Sequence, residues 1–486
     1  MQNTDQQQPV TVEVDMDLRQ NFPVEVKKQT LSSINVDKFP PLRVLFIVDS
    51  IYWVLGNFFY QIKKDNPWLE AQICSHFAIR KTLKRFGGFR PTFDVIHFLR
   101  TKPIKFLEGK LPFVSTLHHA DSGTELAHLH ESDAVMIVST EWRNYLMNKG
   151  IPSHKLCLVP FGVDTKVFYP PNEEERLQIR QLLNLSKESL VIGFSARRTY
   201  DADGRKGVDC FIQALRLVKQ QVSNIATIII GPGWRKLAHK LEMEGITYSL
   251  IPYHINHEEI AKYYHALDVF WTTARIEGGP VPLLEAMASG IPCISTPVGA
   301  ALDLIKDQKN GFIIPFDSPQ QIANLTNQIA EKKDFGKRIG IEARKTILQE
   351  RTWSQTQRKL FETYQLAIRN FEAANYQEST QNWKNNRSKE SRRASSRLPT
   401  IEPDLVSTKL QKWMLACEHL NGLKKFVEMG EWRAAIRTGF RVLKTAPFDY
   451  HIWLELFEVF IQQTRKSHLN YKKITINFLG IYQTRT

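Results

Sequence analysis

Cysteine is scarce in this chain and never paired: Cys74, Cys157, Cys210, Cys293 and Cys417 lie far apart, with no C-x-x-C step among them. That excludes a disulfide framework and a zinc knuckle, and leaves reduced, buried thiols as the expectation. Long apolar runs are missing too, none approaching the roughly 18 to 20 residues that cross a bilayer. The opening MQNTDQQQPVTVEVDMD is polar and acidic, where an export signal starts basic and turns apolar. A cytoplasmic protein is expected, whose only route to a membrane is peripheral, at the inner face. The two common phosphate fingerprints, G-x-x-x-x-G-K-[ST] and G-x-G-x-x-G, are absent. Acidic residues are in deficit: Lys and Arg number 65 against 50 Asp and Glu, a net +15. Such a surface attracts polyanions without choosing among nucleotides, acidic lipid headgroups and nucleic acid.

What is present points to packed domains. At 486 residues with 42% hydrophobic and 11% aromatic content the chain exceeds one core, and about 150 residues per domain gives about three units. Residues 1–39 read as a polar leader. Short β-branched and apolar runs then recur at VLFIV (44–48), FDVIHFL (93–99), PFVSTLHH (112–119), DAVMIVS (133–139) and KLCLVPFG (155–162), separated by helical stretches such as TEWRNYLMNKG. After an exposed connector, GVDTKVFYPPNEEE, the rhythm restarts with LVIGFSA (190–196), ATIIIGPG (226–233), DVFWTTA (268–274), IPCIST and GFIIPF. Strand and helix in alternation mean parallel sheets, so two doubly wound, Rossmann-like α/β domains are expected, over 40–165 and 166–374. The helical stretch 353–374 is expected to close the second. Residues 375–400 read as a basic, disordered linker, since 379–397 carry six basic and one acidic residue and almost nothing apolar. Residues 401–486 read as a helical, tetratricopeptide-like appendage, with Trp432, Ala435, Pro447 and Trp453 near the expected places.

Doubly wound sheets bind ligands outside the carboxyl ends of their strands, so the turns there matter most. One, GFSARRTYDADGRKGVD, sets Arg197, Arg198, Arg205 and Lys206 between a strand and a helix; a second, IIIGPG, turns on Gly231. A third, IEGGPVPLLEAMASG, places Glu277 on a loop broken by Gly278, Gly279 and Pro280, and Glu285 eight positions on, in a helix stopped by Gly290. Helix N-termini supplemented by Arg and Lys suit a diphosphate, and carboxylates accept hydrogen bonds from sugar and ribose hydroxyls.

Together these segments resemble the retaining glycosyltransferases of the large two-Rossmann-domain group, called family 4 or group 1, over about residues 43 to 370. The most specific part is the Glu-x7-Glu motif of Glu277 and Glu285. LVPFGVDTKVF (158–168) is similar to the family's interdomain segment, and RKGVDCFIQAL (205–215) to its basic-then-glycine phosphate contact. Gly279 and Pro280 depart from its usual bulky residue and glycine. The resemblance implies a GT-B fold, two Rossmann-like domains facing a cleft, and a hexosyltransferase-like enzyme that retains anomeric configuration and needs no metal or bound cofactor. The donor is then a nucleotide-diphosphate sugar, and the acceptor a glycan, lipid-linked or small molecule. Glu277, with the amides of Gly278 and Gly279, would hold the donor sugar; Glu285 the ribose; Pro280 and Val281 would open the helix facing the diphosphate. Lys206 with Arg197 or Arg198 would neutralise the leaving group. His118, chosen over His119 because alternation along a strand sends neighbours to opposite sides, would face the sugar. Gly56, Tyr52 and Trp53 fall in the first-strand loop, on the acceptor side. A rival reading is a catalytically weak adaptor that recruits a protein partner or anionic surface through its basic linker and helical tail. Nucleic acid is disfavoured, because the basic residues lack interleaved aromatics.

Overall fold

The computed structural model describes residues 41–51, 54–86, 93–99, 111–120, 126–197, 202–251, 257–385, 403–428 and 432–445. The expected leader, Tyr52, Trp53, Arg198, most of the expected linker, and Pro447 and Trp453 of the tail lie outside the described residues. The chain divides into two compact units.

The larger unit is built on two six-stranded sheets. The first comprises β1 (Leu42–Val48), β2 (Leu69–Ser75), β3 (Val95–Leu99), β4 (Phe113–Leu117), β5 (Ala134–Ile137) and β6 (Leu156–Leu158), in the order β2-β1-β3-β4-β5-β6. The second comprises β7 (Leu190–Ser195), β8 (Ile225–Ile230), β9 (Thr247–Ile251), β10 (Val269–Thr272), β11 (Cys293–Ser295) and β12 (Phe312–Ile313), in the order β12-β11-β10-β7-β8-β9. Every described register is parallel, which explains why the central strands read as unbroken apolar runs: both faces are covered, and Val44–Val48 and Ile225–Ile230 are buried throughout. Two strands escaped the sequence reading. β2 alternates buried and exposed residues at one end of its sheet, and β9 at the end of the other keeps only Ile251 fully buried, so neither carries an apolar run.

In the second sheet the chain winds outward from β7 through β8 and β9, then restarts on the other side with β10, β11 and β12. The crevice between the carboxyl ends of β7 and β10 is therefore the topological switch point, where such sheets hold ligands. Behind it, Arg180 is buried and clamps the start of both strands, donating to Asp268 Oδ2 (2.6 Å), Ala266 O and Ser189 O, while Asp268 Oδ2 also accepts the Val191 N–H at 2.7 Å.

The stretch expected to close the second sheet does something else. The helix Trp353–Asn385 packs on β3, β4, β5 and β6 of the first sheet. Its Tyr364 hydroxyl meets His97 Nδ1 at 2.9 Å, its Thr356 donates to Pro160 O at 2.9 Å, and Phe361 lies edge-on to Trp68. It also runs on past residue 374, because no glycine or proline interrupts it. Residues 375–385 are thus helical and not linker. The two crossings between the sheets run side by side: Val163 N–H donates to Arg351 O at 2.9 Å, and a Cβ on Gly162 would come within 2.8 Å of the Trp353 nitrogen.

The smaller unit combines residues 49–51 and 74–86 with the helices Pro403–Glu428 and Trp432–Thr445. The C-terminal helices are present as expected but do not stand alone, since Pro403–Glu428 packs along the helix His76–Phe86. Its buried Glu418 accepts the Ser75 N–H, while Asn421 and Lys425 donate to Asp49 O at 3.1 and 3.0 Å. Burial lifts the Glu418 carboxyl to about 7 against the opposing effects of Ser75 and Lys425. A carboxyl raised in the folded state stabilises it below the unfolded value and loses that contribution as pH rises through 7, a swing of about 3 kcal/mol. We expect the opening free energy of these helices, taken from hydrogen-exchange rates divided by the intrinsic amide rate at each pH, to be larger at pH 5 than at pH 8 in the native protein, and Glu418→Gln to abolish most of that difference.

Candidate active site

The site assembles from the turns that follow β7 and β10. After β7, the carbonyl of Ala196 accepts the Trp234 indole N–H at 2.7 Å, and Gly231 comes so close that a Cβ there would lie 2.2 Å from the same oxygen. Arg197 follows this pinned carbonyl and is half-buried. The chain re-enters through the short helix Ala202–Arg205 and the turn Lys206-Gly207 into the helix Val208–Gln221.

That turn is laced to the one after β10. Thr273 Oγ1 donates to Lys206 O at 2.8 Å, Arg275 N–H to Arg205 O at 2.8 Å, and Arg275 Nη1 to Gly204 O at 2.7 Å. Asp317 holds the Arg275 guanidinium from behind with two contacts, at 2.5 and 3.1 Å. Only glycine serves at 207: its φ is +65°, and a Cβ would sit 1.9 Å from Thr273 O. The lacing delivers Lys206 Nζ onto Glu277 Oε1 as an ion pair with side chains only 12% and 16% exposed. Burial pushes the Glu277 carboxyl up, but Lys206, Arg205 and His119 together outweigh it and hold it below the usual range.

The first sheet reaches the same loop. Trp142, on the helix Thr140–Asn148, donates its indole N–H to Glu277 O at 3.1 Å, and Glu141 accepts the Gly299 N–H at 2.6 Å. A Cβ on Gly278 would fall 1.5 Å from His118 O, so only a bare α-carbon lets the β4 turn approach. At Gly279 the space is taken by Phe161, whose ring lies 3.2 Å from a Cβ position there, which accounts for the loss of a bulky residue after Glu277-Gly278. Pro280 is the N-cap of the helix Val281–Ala288, at φ −67°, and Pro282 in its first turn removes an N–H that has no partner inside the helix. One turn on, Glu285 is 4% exposed, and its Oε2 accepts the hydroxyl of the buried Tyr264 at 2.6 Å. Burial first, then Glu285, keeps that phenol well above its usual range and so protonated and donating.

Of the residues singled out from sequence, Glu277 and Lys206 meet directly, and Gly278, Gly279, Pro280 and Val281 form the loop and helix start beside them. Glu285 lies deeper, against Tyr264. His118 is buried, with its ring 5.5 Å from that of Phe161, whereas the ring of His119 faces Arg205 Nη1 at 3.0 Å. Gly56 sits inside the helix Val54–Lys63 and is buried, not part of a loop. Sequence reading missed Thr273, Arg275, Asp317, Tyr264 and Trp142, none of which has a motif of its own, and set His119 aside in favour of His118; only the Arg205-Lys206-Gly207 string pointed toward the lacing.

Residues 175–346 match the family described as Glycosyl transferases group 1. Among curated proteins, the chain is 26% identical over 242 residues to a GDP-mannose-dependent alpha-(1-6)-phosphatidylinositol monomannoside mannosyltransferase of Mycobacterium tuberculosis, covering 47% of this chain and 60% of the relative. It is 25% identical to the lipopolysaccharide core biosynthesis mannosyltransferase LpsB of Rhizobium meliloti, covering 43% and 58%. The matched region thus spans about 60% of the length of these relatives. Among solved structures, HepE of Anabaena in complex with UDP and glucose superposes with a TM-score of 0.55 at 16% identity, over 66% of this chain and 99% of that one. A glycosyltransferase from Rickettsia africae superposes at 0.57 and 15% identity, over 68% and 99%. The fold is thereby the GT-B arrangement of two Rossmann-like halves.

The buried pair makes a stability prediction. Glu277 is depressed in the folded state, so its contribution is present above the ordinary carboxylate range and lost on acidification. Lys206→Met should cost about 3 kcal/mol at pH 8 by stranding the carboxylate, and less at pH 5, where Glu277 can take a proton. Urea unfolding should show Lys206→Met/Glu277→Gln recovering most of the loss.

Proposed function

From the match of residues 175–346 to the group 1 glycosyl transferases, we propose a retaining glycosyltransferase that moves a sugar from a nucleotide-diphosphate sugar to a hydroxyl acceptor, a glycan or lipid-linked molecule. The observation that carries the reading is the buried Lys206–Glu277 pair at the switch point, with Glu285 eight residues further on.

The donor diphosphate enters beside Lys206 and Arg197, whose charge offsets what grows on the leaving phosphate as the glycosidic bond breaks. Glu277, held ionised, accepts the sugar hydroxyls; its partner Lys206 is shared between carboxylate and phosphate once the donor arrives. Glu285, oriented by the Tyr264 hydroxyl, faces the ribose. The cations of the protein carry the leaving-group charge without calling on a metal. The acceptor hydroxyl attacks from the face the phosphate leaves, and passes its proton to that phosphate, so no separate carboxylate base is required. The contacts of Trp142, Glu141 and His118 O with the Glu277 loop bring the two halves together and exclude water from the activated donor.

The test is binding and hydrolysis of GDP-mannose, UDP-glucose and ADP-glucose by the full chain. GDP-mannose comes first, because a matched relative is named as dependent on it. One donor should bind saturably; Glu285→Gln should weaken it about tenfold or more through lost ribose contacts, and Glu277→Gln should lower turnover more than affinity. A folded protein that binds none of the three would shift the assignment to the adaptor reading.

A further inference from the structure

Three consecutive residues of the first half, Thr140, Glu141 and Trp142, open the helix Thr140–Asn148, and each of them bonds into the second half. The Thr140 N–H donates to Asp303 Oδ2 at 3.1 Å, and its hydroxyl donates to Asp303 Oδ1. Glu141 Oε2 accepts the Gly299 N–H at 2.6 Å. Asp303 belongs to the first turn of the helix Ala300–Leu304, of which Gly299 is the N-cap. Each helix start is therefore held by a carboxylate from the first turn of the other, where the helix dipole favours negative charge. Neither helix caps itself. Gly299 has no side chain to do so, and Ser139, of the type that ordinarily accepts an N–H at that position, is buried and makes no cap bond.

The Gly299 end of this arrangement bears directly on Glu277. The Ala300 N–H donates to Gly278 O at 2.8 Å, and Gly299, at φ +47°, comes so close that a Cβ would stand 1.9 Å from Gly278 O and 2.7 Å from Glu277 O. Trp142 donates to Glu277 O from the first half. The main chain that carries the Glu277 carboxylate is thus gripped by Trp142 and by the turn at 299–300, and Glu141 fixes that turn. Burial raises the Glu141 carboxyl above its usual range; the Gly299 N–H opposes the shift and Asp303 adds to it. The charge facing Glu141 is Asp303, on which Arg351 and Lys359 act in turn. Glu277 moves the opposite way, below the usual carboxylate range. On acidification Glu141 is therefore the first of the two to lose its charge.

We infer that Glu141 and Asp303 form a reciprocal latch between the two halves, and that Glu141 is a positioning residue which, through Gly299, holds the Glu277 loop where turnover requires it. The inference rests on the donor reading above. It separates two tasks within one site. In that reading nucleotide binding falls to residues of the second half, whereas the placement of Glu277 needs the first half latched on. An ionised Glu141 holds Gly299 by a charge-assisted bond, and a neutral side chain holds it more weakly.

The experiment follows turnover of whichever of GDP-mannose, UDP-glucose and ADP-glucose the full chain binds, from pH 5 to pH 8. Alongside it run calorimetric titration of the matching nucleoside diphosphate, hydrogen exchange over residues 296–304, and thermal melting to show each variant folded. At pH 8 Glu141→Leu should lower turnover about tenfold, leave diphosphate affinity within about twofold, and speed exchange of the Gly299 N–H about tenfold. Asp303→Ala should repeat this from the other side of the latch. Glu141→Gln, a neutral acceptor, should fall between Glu141→Leu and the native protein. Native turnover should drop on acidification toward that of Glu141→Gln, which stays flat over the same range. Unchanged turnover in Glu141→Leu, or affinity falling in step with turnover, would overturn the positioning role. An acid limb that persists in Glu141→Gln, or a loss there equal to that in Glu141→Leu, would overturn the role of its charge. Native exchange of Gly299 in Glu141→Leu brings down the latch alone. A folded native protein that binds none of the three donors brings down the donor reading, and this inference with it.

Discussion

Two opposite charges taken out of water and placed against each other, Lys206 and Glu277, set the terms for the rest of the site. Either one alone would be an uncompensated buried ion, so the pair tolerates little error in where its two loops lie. The backbone supplies that accuracy. Thr273 and Arg275 hold the carbonyls of residues 204 to 206, and Gly207 admits the contact only because it has no side chain. These restraints all issue from β10 or abut β7, the two strands between which the winding of the sheet reverses. The chemistry is thus fastened where the topology leaves a crevice.

The first sheet adds mostly main-chain and indole contacts to this centre: His118 O against Gly278, Trp142 on Glu277 O, Phe161 over Gly279. Such contacts depend on shape more than on charge. The return of the helix Trp353–Asn385 to the first sheet gives that half a buried polar anchor as well. His97, whose burial drops it to about 3, stays neutral between Tyr364 and Thr116.

Legibility from sequence followed burial. Strands covered on both faces wrote themselves as apolar runs and were found; β2 and β9, each at an end of its sheet and partly exposed, were not. The extent of the helix from Trp353 was underestimated for want of a stop signal, and its destination was misjudged because an amphipathic face does not say which sheet it meets. At the site, glycine and proline around Glu277 and the helix through Glu285 could be read directly. The ion pair could not, because residues 206 and 277 are separated by seventy-one positions and nothing local links them.

Residue order by itself determined the α/β class, the two doubly wound halves, the loop and helix positions of the two glutamates and the basic character of the turn after β7, since all of these follow from local pattern and backbone preference. Tertiary structure alone decided that Glu277 meets Lys206 while Glu285 meets Tyr264, that His119 and not His118 faces Arg205, and that the C-terminal helices share a unit with the helix after β2. Those outcomes depend on which strands lie side by side and on how closely two backbones can approach, quantities that exist only once the sheets are formed.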